Sequence, residues 1–456
     1  MARHAHSAPA GRSDRPPEVA NDRSAASPRV GGHGGGPSRR IGINRLFGIH
    51  LAGVGGSNLA DGVIAAALPL IAIGLTRDPL LVSLTTGAFW LPWLLGSLLV
   101  GVAVDRGDRA RIRHRALMAR LGIMLAALVV VLTDALTIWA LIALVLAHAV
   151  TEVFSDLAAD ALIPQLVGRD DLPRANSRIM GMARLMQEFI GLPIGGALVT
   201  LGTAWVFGVA AGLLALVVVL LFQLTRPGGF AADREVPGDG DALTTVRSDA
   251  VHGITRLWSH DVVRPLTIAA ALSNLVFTAY MAVFVLWVVG PESRVGLEPW
   301  QYPVLLMTFS AGAIVGSLVP SDWSRRSGEV RVVLATWIVN GLLMLLPVIV
   351  PTWWSIAVTG VLVGATNMVS NVIAMSIRQR VVPLGLLGRI GGASRTLSFG
   401  SMAIGGPLGG IVASQFGLAT VLWTMPAVAV IVTLWLATQI DQDLVDQAEI
   451  APAAAT

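Results

Sequence analysis

Long apolar runs, separated by polar clusters, extend along the chain from about residue 45 to residue 440. A helix that crosses a bilayer needs about 20 mainly apolar residues, so each run predicts one membrane-spanning helix. The pattern therefore predicts an all-α membrane protein with twelve transmembrane helices. The predicted spans are 46–75, 79–104, 116–133, 136–161, 180–201, 204–224, 264–289, 301–320, 331–350, 352–375, 390–413 and 418–438.

Polar stretches divide these spans into two groups of six. The first 40 residues are rich in Gly, Pro, Ser and Arg, a composition that predicts disorder. In the longest internal polar stretch, Val251, Ile254, Leu257 and Trp258 recur at helical spacing, which favours an amphipathic helix on the inner membrane face; an ordinary solvated linker fits as well. The expected domains are a disordered cytoplasmic tail over 1–40, a six-helix bundle over 41–224, a cytoplasmic linker over 225–263, a second six-helix bundle over 264–440 and a cytoplasmic tail over 441–456.

Arginine sets the predicted orientation, because positively charged loops stay in the cytoplasm. Several arginines precede span one and occupy the second, fourth, eighth and tenth connections. The odd-numbered connections hold only Arg77 and Arg294, each beside an acid. Both termini are therefore expected in the cytoplasm, and the chain is expected to be a multi-pass protein of the inner (plasma) membrane.

The composition excludes several other classes of protein. Hydrophobic residues make up 54% of the 456 residues and charged residues only 13%, against about 25% charged residues in soluble proteins. The chain has no cysteine, which excludes disulfides and thiolate metal sites. The apolar composition also argues against a nucleic-acid partner.

One short phrase occurs twice. RIMGMAR begins at Arg178 and RIGGASR at Arg389, and each continues into an apolar run containing P-[IL]-G-G. A second pair, GVAVDRGDRAR and GSLVPSDWSRR, places Asp105 and Asp322 after spans two and eight. The offsets of 211 and 217 residues indicate two six-span halves in parallel orientation. Such repeats are typical of secondary transporters, whose substrate site lies between the halves.

These segments resemble the major facilitator superfamily. Gly101, Asp105 and Arg106, followed by a basic loop, are similar to its signature loop between spans two and three. GLPIGG and GGPLGG resemble the antiporter motif of its drug exporters, and SNLADG, LIPQLVGRDDLPRAN and RQRVVPLGLLGRIGG resemble its branch of enterobactin and macrolide exporters. The chain departs from the family at Asp108, where the loop motif has glycine, and in LTIWALIALVLAHAV, which lacks the arginine of many proton antiporters.

The resemblance implies that span two packs near span eleven and span five near span eight. Asp105 and Asp322 would then lie near the N-termini of spans eleven and five, where a helix attracts an anion. We interpret the repeat as a latch that closes the cytoplasmic side; alternatively, its arginines only anchor the loops and its glycines only aid packing. The gate candidates are Gly101, Asp105, Arg106, Arg109, Asp322, Arg178, Arg184, Arg389 and Arg395.

The Pro-Gly-Gly segments predict either bending of spans five and eleven or close helix packing. Proline interrupts the helix ladder, and glycine lets neighbouring backbones approach. We favour both roles over any contact with a ligand. The residues concerned are Pro193, Gly195, Gly196, Pro407, Gly409 and Gly410.

Ionisable groups inside a membrane are functional candidates by default. Asp61, near the centre of span one, is expected to couple transport to protons or to bind substrate; a structural hydrogen bond to Asn58 or to a neighbouring helix is the alternative. The acids of span four are expected to share protons or to be neutralised by Arg184, which is also the simplest partner for Glu188. The coupling and substrate candidates are Asp61, His50, Asn58, Glu152, Asp156, His148 and Glu188.

The second half differs chemically from the first. Its spans offer no carboxylate that the pattern places inside the membrane, and they carry Asn274, Tyr280, Asn340, Asn367 and Asn371 instead. This asymmetry predicts protonation in the first half and neutral polar recognition in the second.

Together these features predict a secondary active transporter: a proton-coupled exporter of a small hydrophobic organic molecule such as a siderophore, an antibiotic or another secondary metabolite. An importer or uniporter of the same fold is the alternative. A membrane-embedded sensor or enzyme is less favoured, because no catalytic triad, phosphate loop or metal-ligand set stands out. We expect no cofactor and no metal. The expected partners are the substrate, protons and the lipid bilayer, without nucleic acid, and the chain is expected to be a monomer.

Overall fold

A computed structural model describes residues 45–225, 254–319 and 327–454. Regular structure in these ranges is helical, apart from an isolated bridge between Val289 and Leu297. The predicted N-terminal tail and most of the linker, including Val251, lie outside the described residues. In the described end of the linker, 254–258 form a helical turn in which Leu257 is buried and Trp258 is exposed.

Several helices of the first half begin at short acceptor side chains. Asp78 accepts a hydrogen bond from the backbone N–H of Leu80 at 2.8 Å, and Thr137 accepts one from Ala140 at 3.2 Å; both act as N-caps. The elements in chain order are α1 (Arg45–Leu75), α2 (Pro79–Arg106), α3 (Arg109–Leu132), α4 (Ile138–Leu166), α5 (Leu172–Arg184), a π-helical segment (Leu185–Gly191), α6 (Leu192–Leu201) and α7 (Thr203–Leu221).

Helix α3 begins seven residues before the predicted start of span three, because Asp108 caps it by accepting from the backbone N–H of Arg111 at 3.1 Å. The interpretation of the whole basic segment as a loop was wrong. Arg113 lies inside the helix with a relative exposure of 2%. The guanidinium of Arg109 donates to the carbonyl oxygen of Ala161 at 3.3 Å. The prediction placed the start of this helix too late because it relied on the charge of the segment alone.

The second half continues the helical pattern and ends in a docked helix. Arg380 pairs with both Glu329 and Glu449, and Val445 is fully buried, so the last helix packs against its neighbours. The elements are α8 (Val263–Val288), α9 (Gln301–Ser317), α10 (Glu329–Leu343), α11 (Leu346–Ile349), α12 (Trp353–Val381), α13 (Leu384–Phe416), α14 (Leu418–Gln439) and α15 (Gln442–Ala454).

Nine helices within the described ranges are long and apolar enough to cross a membrane. Pro79–Leu95 is a shorter apolar stretch in α2. Predicted span five is divided by the π-helical segment, and α9 has 17 residues. Predicted spans five and eight therefore correspond to shorter helices than the other spans, whereas α2 is a continuous helix of 28 residues.

Helix packing repeats between the two halves of the chain. Helix α1 packs on α6 and α7, as α8 packs on α13 and α14; α2 packs on α4, as α9 packs on α12. Helix α3 packs on α4 and α7, as α10 packs on α12 and α14. Between the halves, α2 lies along α13 and α6 lies on α9, which is the pairing that the resemblance implied.

The first glycine of each Gly-Gly pair faces a helix of its own half. A Cβ added to Gly195 would lie 2.4 Å from the carbonyl oxygen of Val63 in α1, and one added to Gly409 would lie 2.3 Å from that of Ala279 in α8. Both contacts are with backbone, which cannot rotate away as a side chain can. These glycines therefore permit close packing.

The second glycine of each pair faces the other half. A Cβ on Gly196 would lie 2.9 Å from the ring of Pro303 in α9, and one on Gly410 would lie 1.8 Å from the hydroxyl oxygen of Ser83 in α2. The two copies of the phrase thus occupy matching positions. The prolines differ, since Pro193 follows the π-helical segment whereas Pro407 lies within the continuous helix α13.

We expect Gly409→Ala to lower the thermal unfolding midpoint of the detergent-solubilised protein by several degrees. Forcing a methyl group into a packed contact costs about 1–3 kcal/mol. Gly208→Ala is the matched control, because no described atom lies within 4 Å of the Cβ it would add. Equal midpoints for the two variants, measured by fluorescence-detected size exclusion after heating, would contradict this packing role.

Candidate functional site

A buried ion pair joins α1 to α3. The guanidinium of Arg120, fully inaccessible, donates a hydrogen bond to the carboxylate of Asp61. His148 of α4 lies beside both groups, with Nε2 3.7 Å from Asp61 Oδ1 and 3.5 Å from Arg120 Nη2. Because a guanidinium only donates, Nε2 of His148 is the acceptor in its contact with Arg120. Arg120 thus neutralises the charge of Asp61 within the first half.

Glu152 completes this group one helical turn after His148. Its Oε2 lies 4.0 Å from His148 Nε2 and has no hydrogen-bond partner among the described residues. Arg120 likewise has Nε and Nη1 without a partner in the described part of the chain. The cluster therefore has unused donors on the cation and an unused acceptor on the second acid. We call Asp61, Arg120, His148 and Glu152 the charge cluster.

A second buried cation lies two helical turns away on α3. Arg113 Nη1 donates to Nδ1 of His50 at 2.8 Å, and His50 is fully buried. Asp156 and Asp160 of α4 interact electrostatically with the same guanidinium. The predicted candidates His50 and Asp156 are therefore brought together by an arginine, and the line of acids on α4 faces a line of cations on α3.

Sequence reasoning missed Arg113 and Arg120 as functional residues. It assigned Arg113 to a solvated loop and did not consider Arg120. The signal was their seven-residue spacing, which places both on one face of a helix. The predicted neutralisation of Glu152 and Asp156 by Arg184 is wrong, since Arg120 and Arg113 face these acids.

Three members of the charge cluster, Asp61, His148 and Glu152, line a cavity of about 390 Å³, which we call the carboxylate cavity. Uncharged polar side chains and apolar side chains make up the rest of its lining. First-half helices supply one side, and Phe277 of α8 and Phe309 of α9 lie on the other. The charges are therefore exposed to a space large enough for an organic ligand.

A second cavity of about 410 Å³ lies on the second-half side, and we call it the amide cavity. It shares Phe277 and Phe309 with the carboxylate cavity. Of the polar residues singled out in the second half, the asparagines line this cavity and Tyr280 does not. Tyr280 is buried elsewhere and donates its hydroxyl to the carbonyl oxygen of Met344 at 2.9 Å. The asparagines concerned are Asn274, Asn340, Asn367 and Asn371.

Two other candidates have local partners. Asn58 donates to the carbonyl oxygen of Val54 at 2.9 Å, one turn earlier in its own helix, and so does not hold Asp61. Glu188 lies 3.9 Å from Arg184, the simple pairing considered above, and both residues line the amide cavity. Arg184 is more than half exposed, so this pair contributes little to stability.

The gate candidates are only partly described. Asp322 and the side chains of Asp105 and Arg389 lie outside the described set. Gly101 is half-buried, Arg109 donates to the carbonyl oxygen of Ala161 in α4 as noted above, and the remaining arginines are solvent-exposed: Arg106, Arg178, Arg184 and Arg395. Arg395 of α13 lies near enough to Asp160 of α4, in the other half, to interact with it electrostatically. In the described ranges, no group of three or more His, Asp or Glu is arranged to hold a metal ion.

The sequence pattern of the family described as "Transmembrane secretion effector" matches residues 50–455, most of the chain. This is a branch of the major facilitator transporters. The chain belongs to the major facilitator superfamily. It is a multi-pass membrane transport protein and not an enzyme.

Two curated members of the superfamily are similar in sequence. The multidrug efflux pump Tap of Mycolicibacterium fortuitum is 25% identical over 379 residues, covering 82% of this chain and 89% of Tap. The enterobactin exporter EntS of Salmonella choleraesuis (strain SC-B67) is 26% identical over 372 residues, covering 79% of this chain and 84% of EntS. Both relatives are named as proteins that move molecules outward.

Solved structures of other major facilitator proteins share the fold. The nucleoside transporter NupG superposes with a TM-score of 0.64 at 13% identity, covering 86% of this chain and 98% of NupG. A bacterial homologue of the lysosomal transporter Spinster, in an inward-facing and unoccupied conformation, has a TM-score of 0.63 at 13% identity, covering 89% and 96%. Identities this low support the fold alone.

We expect Arg120→Met to destabilise this major facilitator protein by about 3–5 kcal/mol, because the buried Asp61 carboxylate then loses its counter-charge. The double variant Arg120→Met/Asp61→Asn is expected to recover most of that loss. The measurement is thermal unfolding of the purified variants as a double-mutant cycle. Arg184→Met, which breaks the exposed pair, is the control with little effect. Additive losses in the double variant would contradict a direct Asp61–Arg120 interaction.

Proposed function

We propose that this chain is a plasma-membrane exporter that drives a small hydrophobic organic molecule outward in exchange for protons. The proposal includes a twelve-span arrangement of two six-helix bundles, over 41–224 and 264–440, with both termini in the cytoplasm. Matching helix contacts in the two halves and matching Gly-Gly contacts at the seams support it. The two efflux proteins of similar sequence support the direction of transport.

The observation that carries the proposal is the position of the charge cluster in the wall of a ligand-sized cavity. Asp61 and Glu152 compete for one cation, Arg120, and both face the carboxylate cavity. Carboxylates this close to each other inside a membrane favour holding at least one proton between them. Substrate in the cavity and protons on the cluster can therefore influence each other's binding directly.

The geometry suggests a switch in which Arg120 changes partner. With Asp61 ionised, Arg120 pairs with it, and Glu152 Oε2 is left without a hydrogen bond among the described residues. A proton on Asp61 removes the charge that holds Arg120, and Glu152 becomes the stronger partner. The release of Asp61 from α3 alters a contact between α1 and α3, so protonation can bias the conformational equilibrium.

The proton's further route runs along α4. Asp156 and Asp160 follow Glu152 at four-residue intervals, and Arg113 with His50 faces them. In the proposed orientation this row leads from the midplane to the cytoplasm. We assign His50 and Asp156 to this exit path and Asp61, His148 and Glu152 to the coupling site.

The register of the α2–α13 contact supports the proposed latch. Gly87 lies against Pro407 and Leu94 lies against Gly400, so the two helices run antiparallel in step. Eleven residues on from Leu94 is Asp105, and eleven residues back from Gly400 is Arg389. We propose that these two residues pair when the cytoplasmic side is closed, with Arg395 and Asp160 as a neighbouring contact.

We expect Asp61→Asn to abolish proton-driven export. The test follows accumulation of ethidium and Hoechst 33342 in cells that lack other efflux pumps, with and without a protonophore. The parent chain is expected to lower accumulation in a protonophore-sensitive way, and Asp61→Asn to slow efflux at least tenfold. Asp134→Asn is the matched control, because Asp134 is an exposed loop residue with φ 52°, a conformation that asparagine tolerates.

Protonophore-sensitive efflux by Asp61→Asn would remove Asp61 from the coupling role. In proteoliposomes, a pH gradient is imposed and the direction of dye movement is measured. Movement of the dyes in the same direction as the protons would contradict export and indicate import.

We expect Asp105→Asn to shift the transporter towards the inward-open state. Because the chain has no cysteine, a single Ala65→Cys probe in the carboxylate cavity reports access from one side. Labelling by a membrane-impermeant thiol reagent in inside-out vesicles is expected to rise several-fold in Asp105→Asn. Asp108→Asn is the control, since asparagine also caps α3. Unchanged labelling would contradict the latch and indicate that the arginines only anchor the loops.

A further inference from the structure

The second-half wall of the amide cavity is polar but carries no charge among its described lining residues. Helices α8, α9, α10, α12 and α14 each contribute an uncharged hydrogen-bonding side chain: Ser273 and Asn274, Ser310, Asn340, Asn367 and Asn371, and Thr433. The only charged residues that line the cavity, Arg184 and Glu188, belong to the first half and lie 3.9 Å from each other. The cavity therefore presents amide and hydroxyl groups, and it suits a ligand that carries no net charge.

The amide groups retain free hydrogen-bonding capacity. Asn340 accepts from Thr366 through Oδ1, and Asn371 Nδ2 donates to Asn367 Oδ1 at 3.2 Å, so the NH₂ groups of Asn340 and Asn367 are not engaged within the described structure. The side chain of Asn274 makes no hydrogen bond to any described residue. A ligand that fits this wall must offer several oxygen acceptors, together with donors for the free amide oxygens.

Aromatic side chains complete the binding surface. Trp337 of α10 lines the amide cavity, and Phe277 and Phe309 line both cavities. An aromatic face beside several amides suits a ring that has an apolar C–H face and a polar rim of hydroxyls. The apolar residues of the carboxylate cavity, beyond the two phenylalanines, suit a hydrophobic body attached to that ring.

We propose that the amide cavity binds the uncharged, hydroxyl-rich portion of the substrate, a sugar ring, while the hydrophobic body of the same molecule occupies the carboxylate cavity. The inference rests on the proposed export function for the role of the site, and it names the substrate class as glycosides of apolar molecules. Asn274 and Asn367 are the residues that recognise the sugar. Binding of the sugar does not involve the charge cluster.

The test measures binding of three coumarin probes that share one aromatic body. These are 4-methylumbelliferyl β-D-glucoside, the corresponding glucuronide, and 7-methoxy-4-methylcoumarin, which lacks a sugar. The full chain is purified in a detergent without a sugar headgroup and placed in lipid nanodiscs, because a maltoside detergent carries the chemistry under test. Bound probe is quantified by ultrafiltration and fluorescence.

The glucoside is expected to bind at least tenfold more tightly than the methoxycoumarin and the anionic glucuronide. Asn274→Leu and Asn367→Leu are each expected to weaken glucoside binding about tenfold, the effect of one lost hydrogen bond, without changing methoxycoumarin binding. Asn176→Leu, an exposed asparagine that lines neither cavity, is the matched control.

Equal binding of the glucoside and the methoxycoumarin, tighter binding of the glucuronide, or no glucoside binding at millimolar concentration would each overturn the proposal. These outcomes are separable from failure of the export function. Loss of sugar selectivity with intact protonophore-sensitive dye efflux rejects only the substrate class. Selective glucoside binding without proton-driven efflux supports the sugar site and rejects the export mechanism.

Discussion

The ionic contact between Asp61 and Arg120 is the constraint around which the first half is organised. A lone charge inside a bilayer is strongly unfavourable, so each of these residues requires the other. Their contact ties α1 to α3, and His148 brings α4 into the same group. A cluster with one cation and two acids has more than one way to satisfy its charges. This surplus of acid is the feature on which the proposed exchange of partners by Arg120 rests.

The second half lines its cavity with neutral polar groups instead of ions. Amides are less costly to bury than ions when they are hydrogen-bonded, and they keep their state at every physiological pH. Ionisable side chains therefore line the cavity on one side of Phe277 and Phe309, and the asparagines line the cavity on the other. The two phenylalanines are the only described residues that line both cavities.

Hydropathy predicted most helices well, because a span needs about 20 apolar residues whatever its neighbours are. The repeated phrase also predicted the α2–α13 and α6–α9 seams through the family resemblance. Prediction failed where the environment is set by distant residues. Arg113 was assigned to solvent because the sequence does not reveal His50 as its partner, and Tyr280 was assigned to ligand recognition although Met344 engages its hydroxyl. The convergence of four asparagines from three helices on one cavity is likewise a property of tertiary packing.

The matching glycines of spans five and eleven have a consequence for how such a protein diverges. Gly196 and Gly410 press against the opposite half at equivalent places, while the cavity walls behind them bear no resemblance to each other. Close glycine contact at the seam constrains both halves alike, and the lining is left open to change. Substitution of a few wall residues can thus alter the cargo while the glycine contacts between the halves stay as they are.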